Sequence, residues 1–175
     1  MMRALVAIAL MLVRPVSPYT EQVQMPAGAQ AKAEVEQVME QLVQQAASLL
    51  EKHGEFYPLG GYLSSTGRFA LTAVYDGNEH PESAKVILGL RQAFGQSATK
   101  GKYRAIGLAY DVRVTAPGVS TPTDAVLVEL EHATGYRVNV YWPYTGSPKD
   151  PPRFGAAFAV EGTLRGFSPS APPPR

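Results

Sequence analysis

The chain has 175 residues, 45% of them hydrophobic, which is enough for one domain with a proper core. Its 16 basic and 15 acidic residues give a formal net charge of +1, which argues against the broad basic surface of a nucleic-acid-binding protein. Cysteine is absent, which excludes disulfides, thiolate metal sites and a cysteine nucleophile.

The N-terminus carries an apolar run, Ala4 to Val13, behind Arg3. This run has the length of the hydrophobic part of a signal peptide and is too short to span a bilayer. We therefore predict a signal peptide at residues 1–18, and export to the periplasm or the medium. Arg14 interrupts the pattern and no clean cleavage motif follows, so the alternative is an uncleaved anchor or a mis-assigned start codon. A cytoplasmic location is the alternative to export.

Composition divides the remainder of the chain into three parts. Residues 19–30 lack periodicity and are predicted to be a linker, and residues 161–175 are rich in proline and are predicted to be a flexible tail. Residues 31–160 are then a single domain. No repeat of 20 to 50 residues, as found in solenoids, is present in the sequence.

The domain begins with a predicted helix over Ala31 to His53, because its apolar residues recur every three or four positions. Two strands follow, Phe56 to Leu63 and Arg68 to Tyr75, joined by a four-residue hairpin loop. Pro58 cannot donate to a ladder, so the first strand should lie at an edge or begin irregularly. The pair Gly60 and Gly61 indicates a bulge or a close backbone approach.

A second helix is predicted to begin near Pro81, with Val86, Ile87, Leu90 and Phe94 as its buried stripe. A long strand then alternates apolar residues from Ile106 to Val114 with small or polar ones. The last two strands form another hairpin, with predicted bounds Ala125 to His132 and Tyr136 to Tyr144.

The element order α-β-β-α-β-β-β predicts an α+β fold. We expect an antiparallel sheet of about five strands with the helices on one face. A short strand or helix near Phe154 to Val160 would extend the sheet.

Five short motifs resemble those of a family of small bacterial proteins without assigned activity. They are GEFYPLG from Gly54, AYDVRV from Ala109, DAV from Asp124, EH from Glu131 and PY from Pro143, and the resemblance covers roughly residues 45–145. It implies a cytoplasmic single-domain protein, which the export-like leader contradicts. The element order also resembles roadblock and profilin-like domains, which would imply a binding platform.

The titratable residues give weak signals for chemistry. The three histidines do not form a metal-ligand motif, so no metal and no cofactor is predicted. Asp76, Glu79 and His80 lie close together in one loop. The first explanation of this composition is that such residues form turns.

Strand carboxylates are the remaining candidates. Glu129 and Glu131 should share a face that His132 does not, either as a paired-carboxylate site or, as we expect, as solvent-exposed partners of Arg137 or Arg113. Asp111 is the strongest single candidate, with Arg113 as its same-face neighbour.

These observations favour a non-enzymatic binding or accessory domain that contacts a protein partner, or a second copy of itself, through its sheet and aromatic segments. Nucleic acid and a stable membrane span are not expected. The alternatives are a small hydrolase or metal-dependent enzyme using the acidic and histidine residues, and a cytoplasmic immunity-like inhibitor. The predicted binding residues are Phe56, Tyr57, Tyr62, Asp111, Arg113, Tyr141, Trp142 and Tyr144.

Overall fold

The computed structural model describes residues 27–74, 81–98, 100–146 and 151–167. The predicted signal peptide, the loop holding Asp76, Glu79 and His80, and residues 168–175 lie outside these ranges. No helix in the described part of the chain is long and apolar enough to cross a membrane. The elements in chain order are α1 (Ala27–His53), β1 (Leu59–Ser64), β2 (Phe69–Thr72), α2 (Ser83–Ala98), β3 (Tyr103–Val114), β4 (Thr123–His132), β5 (Arg137–Thr145), β6 (Arg153–Phe154) and β7 (Phe158–Glu161).

The strands form one antiparallel sheet in the order β2-β1-β3-β4-β5-β6, and β7 also pairs with β5. The predicted α+β class is therefore confirmed, but the described residues contribute seven strands to the sheet rather than five. The two extra strands are the short elements expected near Phe154 to Val160. β1 begins directly after Pro58 and lies between β2 and β3, so the irregular start is confirmed and the edge position is wrong.

The two helices pack on opposite faces of the sheet, and the prediction of a single helical face is wrong. The apolar stripe of α1 packs on Ala105 and Ala109 of β3, whereas that of α2 packs on Ile106 and Leu108. Successive residues of a strand point to opposite faces. Both faces of β3 are therefore buried from Ala105 to Ala109, each under its own helix.

Glycines allow both helices to approach the sheet closely. A Cβ atom added to Gly107 would lie 2.7 Å from Val38 Cγ1 and 2.8 Å from Leu42 Cδ1, both on α1. A Cβ atom on Gly60 would lie 2.9 Å from Leu90 Cδ2, on α2. The close backbone approach predicted for the Gly60 pair is therefore present, and the absence of a side chain is what permits it.

The fold extends beyond the predicted domain limits at both ends. α1 begins at Ala27, inside the predicted linker. After β7 the chain crosses the α2 face of the sheet, where Leu164 is only 1% exposed and belongs to the core beneath α2. Gly166 is buried beside Ile106, so alternate residues of the segment 162–167 pack on the sheet while Thr163 and Arg165 stay exposed.

Candidate functional site

Glu129 and Glu131 lie on the α2 face and are buried, which contradicts their predicted exposure to solvent. Glu129 Oε2 lies 2.6 Å from Arg91 Nη2, and its Oε1 accepts a hydrogen bond from the Thr163 hydroxyl at 2.9 Å. The phenol of Tyr110 also bonds to this carboxylate, and burial together with the charge of Glu129 raises the pKa of Tyr110 to about 12. Glu129 is thus occupied by structural contacts.

Glu131 fixes the segment that follows β7. Its Oε1 accepts a hydrogen bond from Arg137 Nε at 2.8 Å, which is one of the predicted cross-strand pairs. Its Oε2 accepts hydrogen bonds from the backbone N–H groups of Gly166 and of Phe167, the latter at 3.1 Å. Both carboxylate oxygens therefore hold protein groups in place.

His132 lies on the opposite face of the sheet from these glutamates, as predicted, and contacts α1. Its Nδ1 accepts a hydrogen bond from the backbone N–H of Thr134 at 3.1 Å, so Nε2 carries the proton and donates it to Glu34 Oε2 at 2.9 Å. Burial, and secondarily the charge of Arg104, lowers the pKa of His132. The imidazole is therefore held in its neutral form.

A β-bulge delivers Arg104 to the same carboxylate. Leu63 pairs with Ala105 while the next residue, Ser64, pairs with Tyr103, so Arg104 is the extra residue of β3. Its Nη2 contacts Glu34 Oε1 on α1, whereas the Tyr103 ring stacks on that of Tyr62, with 4.2 Å between ring centroids. The side chain of Arg104 therefore contacts α1, whereas that of the preceding residue, Tyr103, packs on the α2 face of the sheet.

A cavity of about 260 Å³ lies at the end of the sheet where β1 begins. The first pair between β1 and β3 joins Leu59 to Ala109, so β3 continues from Tyr110 without a partner in β1. The space beside it is enclosed by the segment after α1 and by the start of α2. The lining residues are Gly54, Glu55, Phe56, Pro58, Ser83, Ile87, Tyr110, Asp111 and Tyr144.

Asp111 is the central polar group of this cavity. Its Oδ1 accepts a hydrogen bond from the Tyr144 hydroxyl at 2.8 Å, and the backbone N–H of Val112 also donates to the carboxylate. Loss of hydration against the cavity walls nevertheless raises the pKa of Asp111, helped by the charge of Asp124. The predicted neighbour Arg113 is directed to Asp124 instead, at 3.3 Å.

Tyr144 also lines a second, more open concavity of about 270 Å³. There its ring lies 5.9 Å from that of Phe154, and Pro143 and Arg153 complete the nearby wall. Burial and the hydrogen bond to Asp111 raise the pKa of Tyr144 above its ordinary value, so its hydroxyl remains a donor. One tyrosine is therefore the wall between two adjacent recesses.

The eight predicted binding residues do not form one surface. Phe56, Asp111 and Tyr144 come together in the cavity, and Tyr57, 42% exposed, follows Phe56 in sequence. The other four lie elsewhere: Tyr62 stacks under α2, Trp142 packs against the α1 core, Tyr141 stacks on Phe158 and Arg113 pairs with Asp124.

Six of the nine cavity residues were missed by the sequence analysis as site residues: Gly54, Glu55, Pro58, Ser83, Ile87 and Tyr110. They come from the segment after α1, from the start of α2 and from β3, and no local pattern predicts that these meet. The available signals were the sequence motifs, since four residues of GEFYPLG, two of AYDVRV and one of PY line the cavity.

Within the described ranges no group of three or more histidine, aspartate or glutamate side chains could hold a metal ion. Comparison of the chain with protein families, curated proteins and solved structures gives no match. The resemblances noted from the sequence motifs and the element order therefore stay predictions.

Proposed function

We propose that this chain is a non-enzymatic binding domain, which contacts a protein partner at the end of the sheet where Tyr144 separates the two recesses. The observation that carries the proposal is the shared wall: one tyrosine lines both concavities, with Phe56 in one and Phe154 in the other. Aromatic side chains are enriched at the centres of protein interfaces, where pockets receive the anchor residues of the partner.

The placement of the titratable groups also supports binding rather than catalysis. The carboxylate oxygens of Glu129 and Glu131 accept hydrogen bonds from Arg91, Arg137 and the segment after β7. His132 is buried on the other face of the sheet against Glu34. Of the residues predicted for the alternative enzyme, Asp111 lines the cavity, Glu129 and Glu131 do not, and Asp76, Glu79 and His80 lie outside the described residues. The described members therefore do not share a cleft, which a general acid-base mechanism requires.

The experiment is affinity capture from cells that naturally produce the chain, using wild type, Tyr144→Ala and Tyr136→Ala. Tyr136 is a matched control because it is 38% exposed and lies just before β5, whereas Tyr144 lies near the end of that strand. We expect a partner that wild type and Tyr136→Ala retain and Tyr144→Ala loses.

Direct titration with the purified partner then decides the matter. A partner contact at Tyr144 predicts that the Tyr144→Ala variant binds at least about tenfold more weakly, the effect of a central aromatic anchor. Equal binding by all three folded proteins would reject the proposal. Tyr144→Phe, which keeps the ring, guards against a loss caused by misfolding.

A further inference from the structure

We propose that the cavity at Asp111 binds the guanidinium group of an arginine side chain presented by the protein partner. This inference rests on the proposed function and specifies the chemistry that the partner must offer. It is carried by the size of the cavity, the sign of its charge, the free acceptor capacity of Asp111 and the aromatic walls.

The cavity has the size for a side chain rather than for a whole small molecule. Its volume of about 260 Å³ lies just below the range of about 300–1,000 Å³ in which pockets bury drug-sized ligands. The cavity lies beside the part of β3 that has no partner in β1, and we infer that a side chain enters there while the partner's backbone stays outside.

The cavity carries negative charge. Glu55 and Asp111 line it, and its described lining residues include no lysine, arginine or histidine. The two helix ends that reach it have opposite dipoles, since Gly54 follows the C-terminus of α1 and Ser83 begins α2. Because these partial charges oppose each other, the carboxylates decide the sign, and a cation is the favoured occupant.

Asp111 has acceptor capacity to spare. A carboxylate offers about four lone-pair sites, and among the described residues the Tyr144 hydroxyl and the Val112 N–H use two of them. The two that remain suit the parallel N–H groups of a guanidinium. The raised pKa of Asp111 is the behaviour of a partly desolvated carboxylate without a cationic partner, and a bound guanidinium would lower it again.

The aromatic walls favour arginine over lysine. Phe56, Tyr110 and Tyr144 present rings to the cavity. A planar, weakly hydrated guanidinium stacks on such rings while it bonds to a carboxylate, whereas an ammonium ion keeps a tighter hydration shell. We therefore expect arginine to bind more tightly than lysine at this position.

The test is an NMR titration of the ¹⁵N-labelled full chain with N-acetyl-arginine amide and with the corresponding citrulline derivative. Citrulline has nearly the same shape without the charge, so it isolates the ionic contribution. We expect saturable shifts of the Glu55, Val112 and Tyr144 amides with the arginine compound. Citrulline should bind at least about tenfold more weakly, the equivalent of one charge-assisted pair.

Matched aspartate variants locate the site. Asp111→Asn should weaken binding of the arginine compound by about tenfold, while Asp124→Asn, which removes a charge that acts on Asp111 from outside the cavity, should weaken it by no more than about threefold. Asp124 is the appropriate control because it is also an exposed β-strand carboxylate but does not line the cavity. For the wild type, raising the NaCl concentration should weaken binding of the arginine compound and leave binding of the citrulline compound unchanged.

Equal binding of arginine and citrulline, or equal losses in the two aspartate variants, would overturn the inference. Those results leave the proposed function untouched if the partner is still lost from Tyr144→Ala. Conversely, if the arginine compound binds at Asp111 but the partner binds wild type and Tyr144→Ala equally, only the proposed function is rejected. The two proposals therefore fail separately.

Discussion

His132 Nε2 lies 2.9 Å from Glu34 Oε2, and these two buried side chains are 98 positions apart in the chain. The contact joins α1 to β4, a central strand, and Arg104 approaches the second oxygen of the same carboxylate. Gln30, one turn before Glu34 on α1, donates to that second oxygen as well, at 2.9 Å. Glu34 is therefore the acceptor for every other member of this network.

Replacing Glu34 should consequently destabilise the fold. Glu34→Ala leaves the guanidinium of Arg104 and the Nε2–H of His132 without their acceptor, and we expect the free energy of unfolding to fall by about 3 kcal/mol. Glu36→Ala is the control, because Glu36 is exposed on the same helix and forms only a 3.7 Å pair with Lys32; its cost should be below about 0.5 kcal/mol, apart from helix propensity. Urea denaturation of both variants checks this, and similar losses would contradict it.

The lowered pKa of His132 predicts a pH dependence of stability. The unfolded chain binds a proton near pH 6.5, the ordinary histidine value, while the folded chain binds it only at lower pH. Stability due to this residue is therefore complete above about pH 6.5 and declines as the pH falls from there towards the folded pKa. We expect His132→Gln to be less stable at pH 8 but to lose less further stability between pH 7 and pH 5 than wild type does. Parallel slopes for the two proteins would contradict the assignment.

Glu131 provides a separate test of the segment after β7. Glu131→Ala removes the acceptor of Arg137 and of two backbone N–H groups, and we expect a loss of about 3–5 kcal/mol of stability. In the milder variant Glu131→Gln, hydrogen exchange should accelerate first at the amides of Gly166 and Phe167. Glu161→Gln, at an exposed site on β7, should leave both amides protected. Unchanged exchange in Glu131→Gln would show that the segment is held by other contacts.

The sequence predicted the helices and strands because their apolar periodicity is local, but the face of each element depends on distant partners. The alternation along β3 was interpreted as one buried and one outer face, although Ala105, Gly107 and Ala109 are small rather than polar. Small residues at every second position are what a closely packed helix requires, and α1 supplies that helix. This signal was present in the sequence and was missed.

The burial of the glutamates could not have been predicted in the same way. Glu129 bonds to Arg91, which lies 38 positions earlier in the chain, and Glu131 bonds to Gly166, which lies 35 positions later. A period of two places both carboxylates on one face but says nothing about what covers that face. For the candidate site, the motif around Phe56 and the candidate Asp111 could be identified from the sequence. Their proximity in one cavity could not, because it depends on the point at which β1 begins to pair with β3.

Gly107 allows a test of the close packing between α1 and β3. Gly107→Ala would bring a methyl group against Val38, Leu42 and Leu130, and we expect a loss of about 1–3 kcal/mol from overpacking. Gly28→Ala is the control, since a Cβ there meets nothing within 4 Å; with alanine's better helix propensity, stability should be unchanged or up to about 1 kcal/mol higher. Thermal denaturation of the two variants checks the contrast. A neutral Gly107→Ala would show that α1 can shift without cost.

Asp111 should behave oppositely to His132, because folding raises the pKa of Asp111 whereas it lowers that of His132. Between the unfolded value of 3.8 and the folded pKa, the folded chain binds more protons than the unfolded chain, so the contribution of Asp111 to stability falls as the pH rises through that window. At pH 7 the ionised carboxylate therefore costs stability.

Asp111→Asn should accordingly raise the melting temperature slightly at pH 7. The gain in the free energy of unfolding should be less than about 1 kcal/mol, because the group keeps access to solvent. The gain should shrink as the pH approaches 4, while Asp124→Asn, which loses its exposed pair with Arg113, should give no gain at either pH. Thermal melts across this range measure both variants. A variant that gains stability and loses arginine binding would identify Asp111 as a residue whose ionised form is kept for its ligand, whereas a loss of stability at pH 7 would show that the carboxylate serves the fold instead.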